Sequence, residues 1–421
     1  MMKRRSGIPA IAAAVLLLLA VPGQAADIGD FLTGGSGTPA QTADPTTTDN
    51  DVTDDLAGTV SNGEVLSQSL NVVTCTDSQT GINVARAMVP AGYSVDSQTI
   101  WCGACQSPDY PAEVFISTQS PDGGIMMTYE SGLSFIQVLD AIVNGMQFAL
   151  HQDGVINPDY LTMQLAYMNA SQYCDYVSQN LMEGASGMTF VSEKPLTQEE
   201  LDFLQQISQK AKENSDALLI PGNGMSTEYV ETTYAQRTYR YTDSSGKAKL
   251  LVVSTGVQGI TLKQAIFTPG AGEMTMRHLL WSIPARFCLM VDEDRYEEGM
   301  SVFESFASNT TLSDQFKQAM KELSEGIVAM AISAQAGSLS EQAGYVKDTF
   351  SSTLSGQDDT YSAIEGWDDV IMERNDYTLS SGDSVKVDTS YDYVYELSDG
   401  NIYATNSALD EPADGTRLYA N

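Results

Sequence analysis

Lys249-Leu250-Leu251-Val252-Val253-Ser254-Thr255-Gly256-Val257 is the stretch on which the fold turns. Four apolar residues run without a break, bounded by Lys249 and by small polar groups. A run of this kind reads as a strand. Upstream, Glu228–Tyr241 is rich in Tyr, Thr and Val and reads as its partner. The turn Asp243-Ser244-Ser245-Gly246 joins the two as a hairpin. Working outward, Glu113–Thr118 and Gly124–Glu130 form a second hairpin around Pro121-Asp122-Gly123-Gly124. Ile82–Pro90 and Thr275–Val291 read as further strands. Helices are expected between them. Phe135–Leu150 is apolar at helical spacing, and Asn157-Pro158 opens a longer helix to about Met182. Thr197-Gln198-Glu199-Glu200 is a capping box ahead of the stripe Leu201, Leu204, Ile207. Tyr296–Ala307 reads as a closing helix.

Beyond this body, Leu312, Phe316, Met320, Leu323, Ile327 and Met330 step by four and three along one helix face. Gly337-Ser338 breaks the pattern, and Leu339, Ala343, Val346, Phe350 and Leu354 resume it. A helical hairpin packed on its own domain is expected, in preference to a partner-binding helix. The segment from Ile364 changes character. Tyr391, Tyr393 and Tyr395 alternate, Ser398-Asp399-Gly400-Asn401 turns, and Ile402 and Tyr403 follow. This is a β-hairpin with a tyrosine face.

The first residues carry Lys3, Arg4 and Arg5, then an apolar run from Ile8 to Val21, then Gly23-Gln24-Ala25. A charged start, a short apolar run and small residues at a cut site make a secretory signal. The run is shorter than the roughly 20 residues a membrane span requires. Residues 26–65 are Asp, Thr, Gly and Ser with few large apolar groups, the composition of a disordered acidic linker. The expected organisation is a signal peptide at 1–25, a linker at 26–65, a body at 66–310, a helical hairpin at 311–356 and an acidic tyrosine-rich tail at 357–421. A secreted, extracytoplasmic location follows, with no membrane span after cleavage.

Charge narrows the function. Lys and Arg total 21 against 55 Asp and Glu, a formal net charge of −34. Nucleic-acid binding rests on cations that neutralise phosphates, so it is excluded, as is docking on anionic membranes. The only histidines are His151 and His278, which excludes a His-rich metal site. His151 reads as a turn residue and His278 as part of a strand. No Gly-x-Ser-x-Gly elbow is present, and Pro221-Gly222-Asn223-Gly224 lacks the Lys of a phosphate loop. No metal or cofactor is expected.

The cysteines are Cys75, Cys102, Cys105, Cys174 and Cys288. Trp101-Cys102-Gly103-Ala104-Cys105 resembles the Trp-Cys-Gly-Pro-Cys centre of thioredoxins. The polar Ser94–Thr99 before it, and Pro108 and Pro111 after it, replace the buried strand and helix of that family by strand, loop, strand. A structural bridge between Cys102 and Cys105 is therefore preferred, since exported chains meet oxidising conditions. The enzymatic alternative is a thiol–disulfide oxidoreductase with Cys102 as nucleophile and Cys105 as resolving thiol. The other pairings stay open.

Ala87-Met88-Val89-Pro90-Ala91-Gly92-Tyr93 is similar to the "strand, Pro, x, Gly, aromatic" start of Mog/PsbP-like domains. The similarity runs through the strand pair at 113–130, the helix at 198–213, the strands at 228–257 and Trp281-Ser282-Ile283-Pro284. It implies an α+β fold, an antiparallel sheet sandwiched by helices, and a binding or assembly role without catalytic residues. The expected function is an exported, non-catalytic binding module for an extracellular ligand, a glycan or a peptide. Trp367, Tyr391, Tyr393, Tyr395 and Tyr403 are its candidate ligand-binding residues, because aromatic rings join apolar area to a polar tip.

Overall fold

The computed structural model describes residues 67–101, 110–143, 145–148, 151–157, 162–180, 185–219, 224–268, 272–336, 374–388, 391–407 and 410–420. The expected signal, the linker, the Cys102–Cys105 pair, Trp367 and the second helix of the hairpin lie outside them.

Two antiparallel sheets dominate. The large one has eight strands, in the order β3 (Ser94–Trp101), β4 (Ala112–Gln119), β5 (Ile125–Val143), β12 (Gly272–Asp292), β11 (Ala248–Thr268), β10 (Met225–Thr242) and β9 (Ser186–Glu193), with β6 (Met146–Phe148) paired to β5. Both expected hairpins are present, with β10 on β11 and β4 on β5. Gly246 closes the first at φ 87°, a conformation that costs glycine nothing. The second sheet has six strands, ordered β13 (Thr311–Leu312), β2 (Asn83–Pro90), β1 (Ser67–Thr76), β17 (Ile402–Thr405), β16 (Tyr393–Glu396) and β18 (Thr416–Leu418). The tyrosine hairpin forms as expected, but β17 pairs with β1, so the tail and the first strand share one sheet. A separate hairpin, β14 (Arg374–Thr378) with β15 (Ser384–Asp388), covers the outer face of that sheet through Tyr377, Val385 and Val387.

The expected α/β/α sandwich is not what forms. Strand exceeds helix more than twofold, and the described residues hold four α-helices: α1 (Ala170–Asn180), α2 (Gln198–Leu218), α3 (Tyr296–Asn309) and α4 (Asp314–Ala336). Two expected helices account for the difference. Phe135–Leu150 is strand as far as it is described, because β5 runs on to Val143 and β6 follows. Neighbours Phe135 and Ile136 are both buried, so this strand is covered on both faces, and two-faced burial imitates helical spacing. The helix expected from Asn157 to Met182 is short. Two-residue strands β7 (Ile156–Asn157) and β8 (Thr162–Met163) take its first part, and α1 starts at Ala170. Asn169 sets that start, since its Oδ1 accepts from Gln172 N at 2.9 Å while Gln172 Oε1 accepts from Asn169 N at 3.0 Å.

β11 is buried on both faces. Leu250 and Val252 enter the core shared with α3 and β2, while Leu251 and Val253 enter the core under α1. β12 and β5 do something the sequence does not announce. Phe287, Leu289 and Val291 face the α3 side, yet Trp281 and Ile283, also odd-numbered, face the α1 side. On β5, Ile125, Met127 and Tyr129 face α3, whereas Phe135 faces α1. The β11–β12 register shifts between Thr255 and Gln258, whereas β12 and β5 stay in step there. Both strands therefore change face together near Pro284 and Gly132. A Cβ on Gly132 would sit 2.0 Å from the Tyr110 ring, so only glycine admits that packing. Pro284 has no amide to offer a ladder, which suits a break.

Candidate functional site

This break opens a cleft of about 350 Å³ between the two sheets. That volume lies in the ordinary range for small-ligand sites. Its floor is the large sheet, with Tyr129, Tyr234, Ser254, Thr255 and Gly256. β2 adds Arg86, Ala87 and Met88 to the lining. The C-terminal end of α3, the start of α4 and β15 close the sides.

Each wall is fixed locally. Thr255 Oγ1 donates to Ala285 O at 2.9 Å, which satisfies a carbonyl at the break. The Tyr234 hydroxyl and Ser254 Oγ are 2.7 Å apart. Asn309 ties β15 to α3, donating to Lys386 O at 2.7 Å and accepting from Lys386 N at 2.8 Å. Thr310 Oγ1 donates to Phe306 O at 2.7 Å and takes up an end carbonyl of the helix. Arg86 reaches Asp383 at 3.3 Å across the rim.

The lining includes Arg86, Lys317 and Lys386 against the single acid Asp314. In a chain with 21 cations and 55 acids, this is a local excess of cations in the lining, with Arg86 paired to Asp383 at the rim. Positive groups in a walled cleft raise the local concentration of anions.

The tyrosines singled out in the sequence sit elsewhere. Tyr391 is buried in the core beneath β14 and β15, and Tyr395 is buried at 2 % exposure. Tyr403 is half-buried and donates to Asp410 Oδ2 at 2.5 Å. Tyr393 is also half-buried, with the Arg417 guanidinium 4.6 Å from its ring centre. Arg417 lies 5.3 Å from the ring of Tyr419, which is 72 % exposed. Most of this face is thus turned to packing.

His151 takes the turn role, accepting from Val138 N at 3.3 Å and facing Asp153 at 2.7 Å. His278 lies buried in β12, and burial pushes its pKa down to about 4 against the opposing pull of Asp140. Among the described residues, no group of three or more His, Cys, Asp or Glu side chains is placed to hold a metal. No described helix is long and apolar enough to cross a membrane.

Ionisable groups are also buried under α1. Arg286 on β12 pairs with Glu130, its registered neighbour on β5, and donates to Tyr173 OH at 3.2 Å. Burial pushes the Tyr173 hydroxyl up.

Arg86, Ser254, Thr255, Asn309 and Lys386 carry no local motif, and sequence reasoning passed over all of them. Comparison of the chain with protein-family models, with curated proteins and with solved structures finds no match.

Proposed function

We propose that the chain is an exported, non-catalytic binding module whose ligand seat is the cleft between the two sheets. The ligand is a small anion or the acidic part of a larger molecule, such as the carboxylate of a peptide end or of an acidic glycan. The observation that carries this reading is the cation-lined cleft in a chain of charge −34. The leader-like start supports export. An overall negative surface repels anions at long range, so capture depends on the local field of the cleft and is sensitive to salt.

Titration calorimetry with carboxylated, phosphorylated and neutral ligands of matched size tests it. Anionic ligands are expected to bind, and Lys386→Glu to weaken them at least tenfold while Tyr393→Ala leaves affinity unchanged. Equal affinity for neutral ligands, or loss of binding on Tyr393→Ala alone, overturns the cleft as the seat.

A further inference from the structure

Arg86 lines the cleft from β2, and Asp383 reaches it from the turn between β14 and β15. Ser384, next to Asp383, lines the cleft as well. The turn is pinned. Leu379 N donates to Asp383 O at 2.8 Å, and Gly382 N donates to Leu379 O at 2.9 Å. Ser380 donates to both carboxylate oxygens of Glu396 on β16, from N at 2.8 Å and from Oγ at 2.7 Å. Val385 and Val387 anchor β15 in the core, and Asn309 holds the Lys386 backbone. The backbone thus fixes Asp383 at the rim and leaves its side chain free to rotate. The pair itself is loose. Arg86 Nη1 lies 3.3 Å from Asp383 Oδ2, whereas a close charge-assisted bond runs about 2.7–2.9 Å. Elsewhere in the molecule, Arg295 holds both oxygens of Glu298, at 2.9 and 2.6 Å. The side chains of Arg86 and Asp383 are 28 % and 58 % exposed, so solutes reach them.

We propose that Arg86 is the seat of a ligand carboxylate, and that Asp383 occupies this seat until the ligand displaces it. This rests on the reading of the cleft as an anion site. A guanidinium presents its donors as a fork that matches a carboxylate with two parallel bonds. An incoming carboxylate can therefore make a closer pair than the one Asp383 makes. The exchange needs the rotation of one side chain and no opening of the turn. Asp383 also sets a threshold. A spherical anion such as chloride gains no second bond from the fork and does not win the guanidinium from a resident carboxylate. An exposed pair of this kind holds its place by a factor of about two to five.

The test is calorimetric titration of the full chain with succinate, in a chloride background of constant ionic strength, with inorganic phosphate titrated in parallel. Asp383→Asn keeps an oxygen for Ser381 Oγ, which donates to Asp383 Oδ2 at 3.0 Å. It is expected to tighten succinate about two- to fivefold. Arg86→Gln is expected to weaken succinate at least tenfold and to cancel that gain in the Arg86→Gln, Asp383→Asn double variant. Asp202→Asn removes the same charge from the exposed side of α2 and is expected to leave affinity unchanged. Equal affinity in the native chain and Asp383→Asn, or an equal gain from Asp202→Asn, overturns the exchange and leaves the cleft reading standing. Phosphate bound more tightly than succinate overturns the carboxylate as the ligand class. Absence of binding to both the native chain and Asp383→Asn overturns the cleft reading and this inference with it. The Asp383→Asn comparison stands even where Arg86→Gln fails to fold.

Discussion

The two faces of the large sheet are built on different terms. On the α3 side, Leu250, Val252, Leu289, Val291, Phe303 and Phe306 meet as plain apolar surface. On the α1 side, Trp281 and Val253 pack beside the Arg286–Glu130 pair, Tyr173 and two thiols. The first face needs only alternation and volume. The second needs register, because a slip of one residue would part Arg286 from Glu130 and leave two buried charges unpaired. One face holds the fold together; the other decides which of several similar pairings is adopted.

The largest effect expected is from Glu130→Ala, which leaves Arg286 buried without its carboxylate. The loss is about 3–5 kcal/mol by denaturant titration. The joint change Glu130→Leu with Arg286→Met should recover most of it. A double variant as unstable as the single one would mean that the second face relies on charge and not only on register. Leu289→Ala tests the apolar face, where a cavity costs about 3 kcal/mol with no partner change to restore it. His278 extends the comparison to the other half of β12. Its folded pKa of about 4 lies below the ordinary 6.5, so between those values the unfolded chain binds a proton that the folded chain does not. Stability is expected to be full above pH 6.5 and to fall by about 3 kcal/mol as pH drops toward 4. Tm measured against pH should show that slope, and His278→Gln should flatten it. The smallest effect is from Tyr239→Phe, which removes the 2.8 Å bond to Asp175 that helps dock α1. About 1 kcal/mol is expected in urea melts.

What the sequence discloses follows the same division. The runs around Lys249–Val257 and Glu228–Tyr241 were readable as a hairpin because two strand-forming runs and one turn between them suffice. The Thr197–Glu200 box was readable and is present, with the Thr197 side chain accepting from Glu200 N. Asn169-Ala170-Ser171-Gln172 carries the same kind of signal and was passed over in favour of the nearer Asn157-Pro158. Strands buried on both faces, such as Phe135 onward, lose their period of two and imitate helix. The face change at Gly132 and Pro284 depends on Tyr110 and on pairings far along the chain, so no window of neighbours contains it. The cleft is further still from local reading. Arg86, Ser254 and Lys386 belong to three distant segments, and only the assembled sheets give them a common wall.

The pairing of β1 with β17 carries a consequence for timing. Ser67 faces Thr405, so the first described strand has no lasting neighbour on that side until nearly the whole polypeptide has been delivered. During synthesis or passage through a narrow channel, its edge stands open as a template for other chains. Such long-range closure is slow, since the ends must find each other before any contact rewards them. A product cut short before position 402 would keep its large sheet and lose this seal, and would be expected to clump where the full chain stays apart.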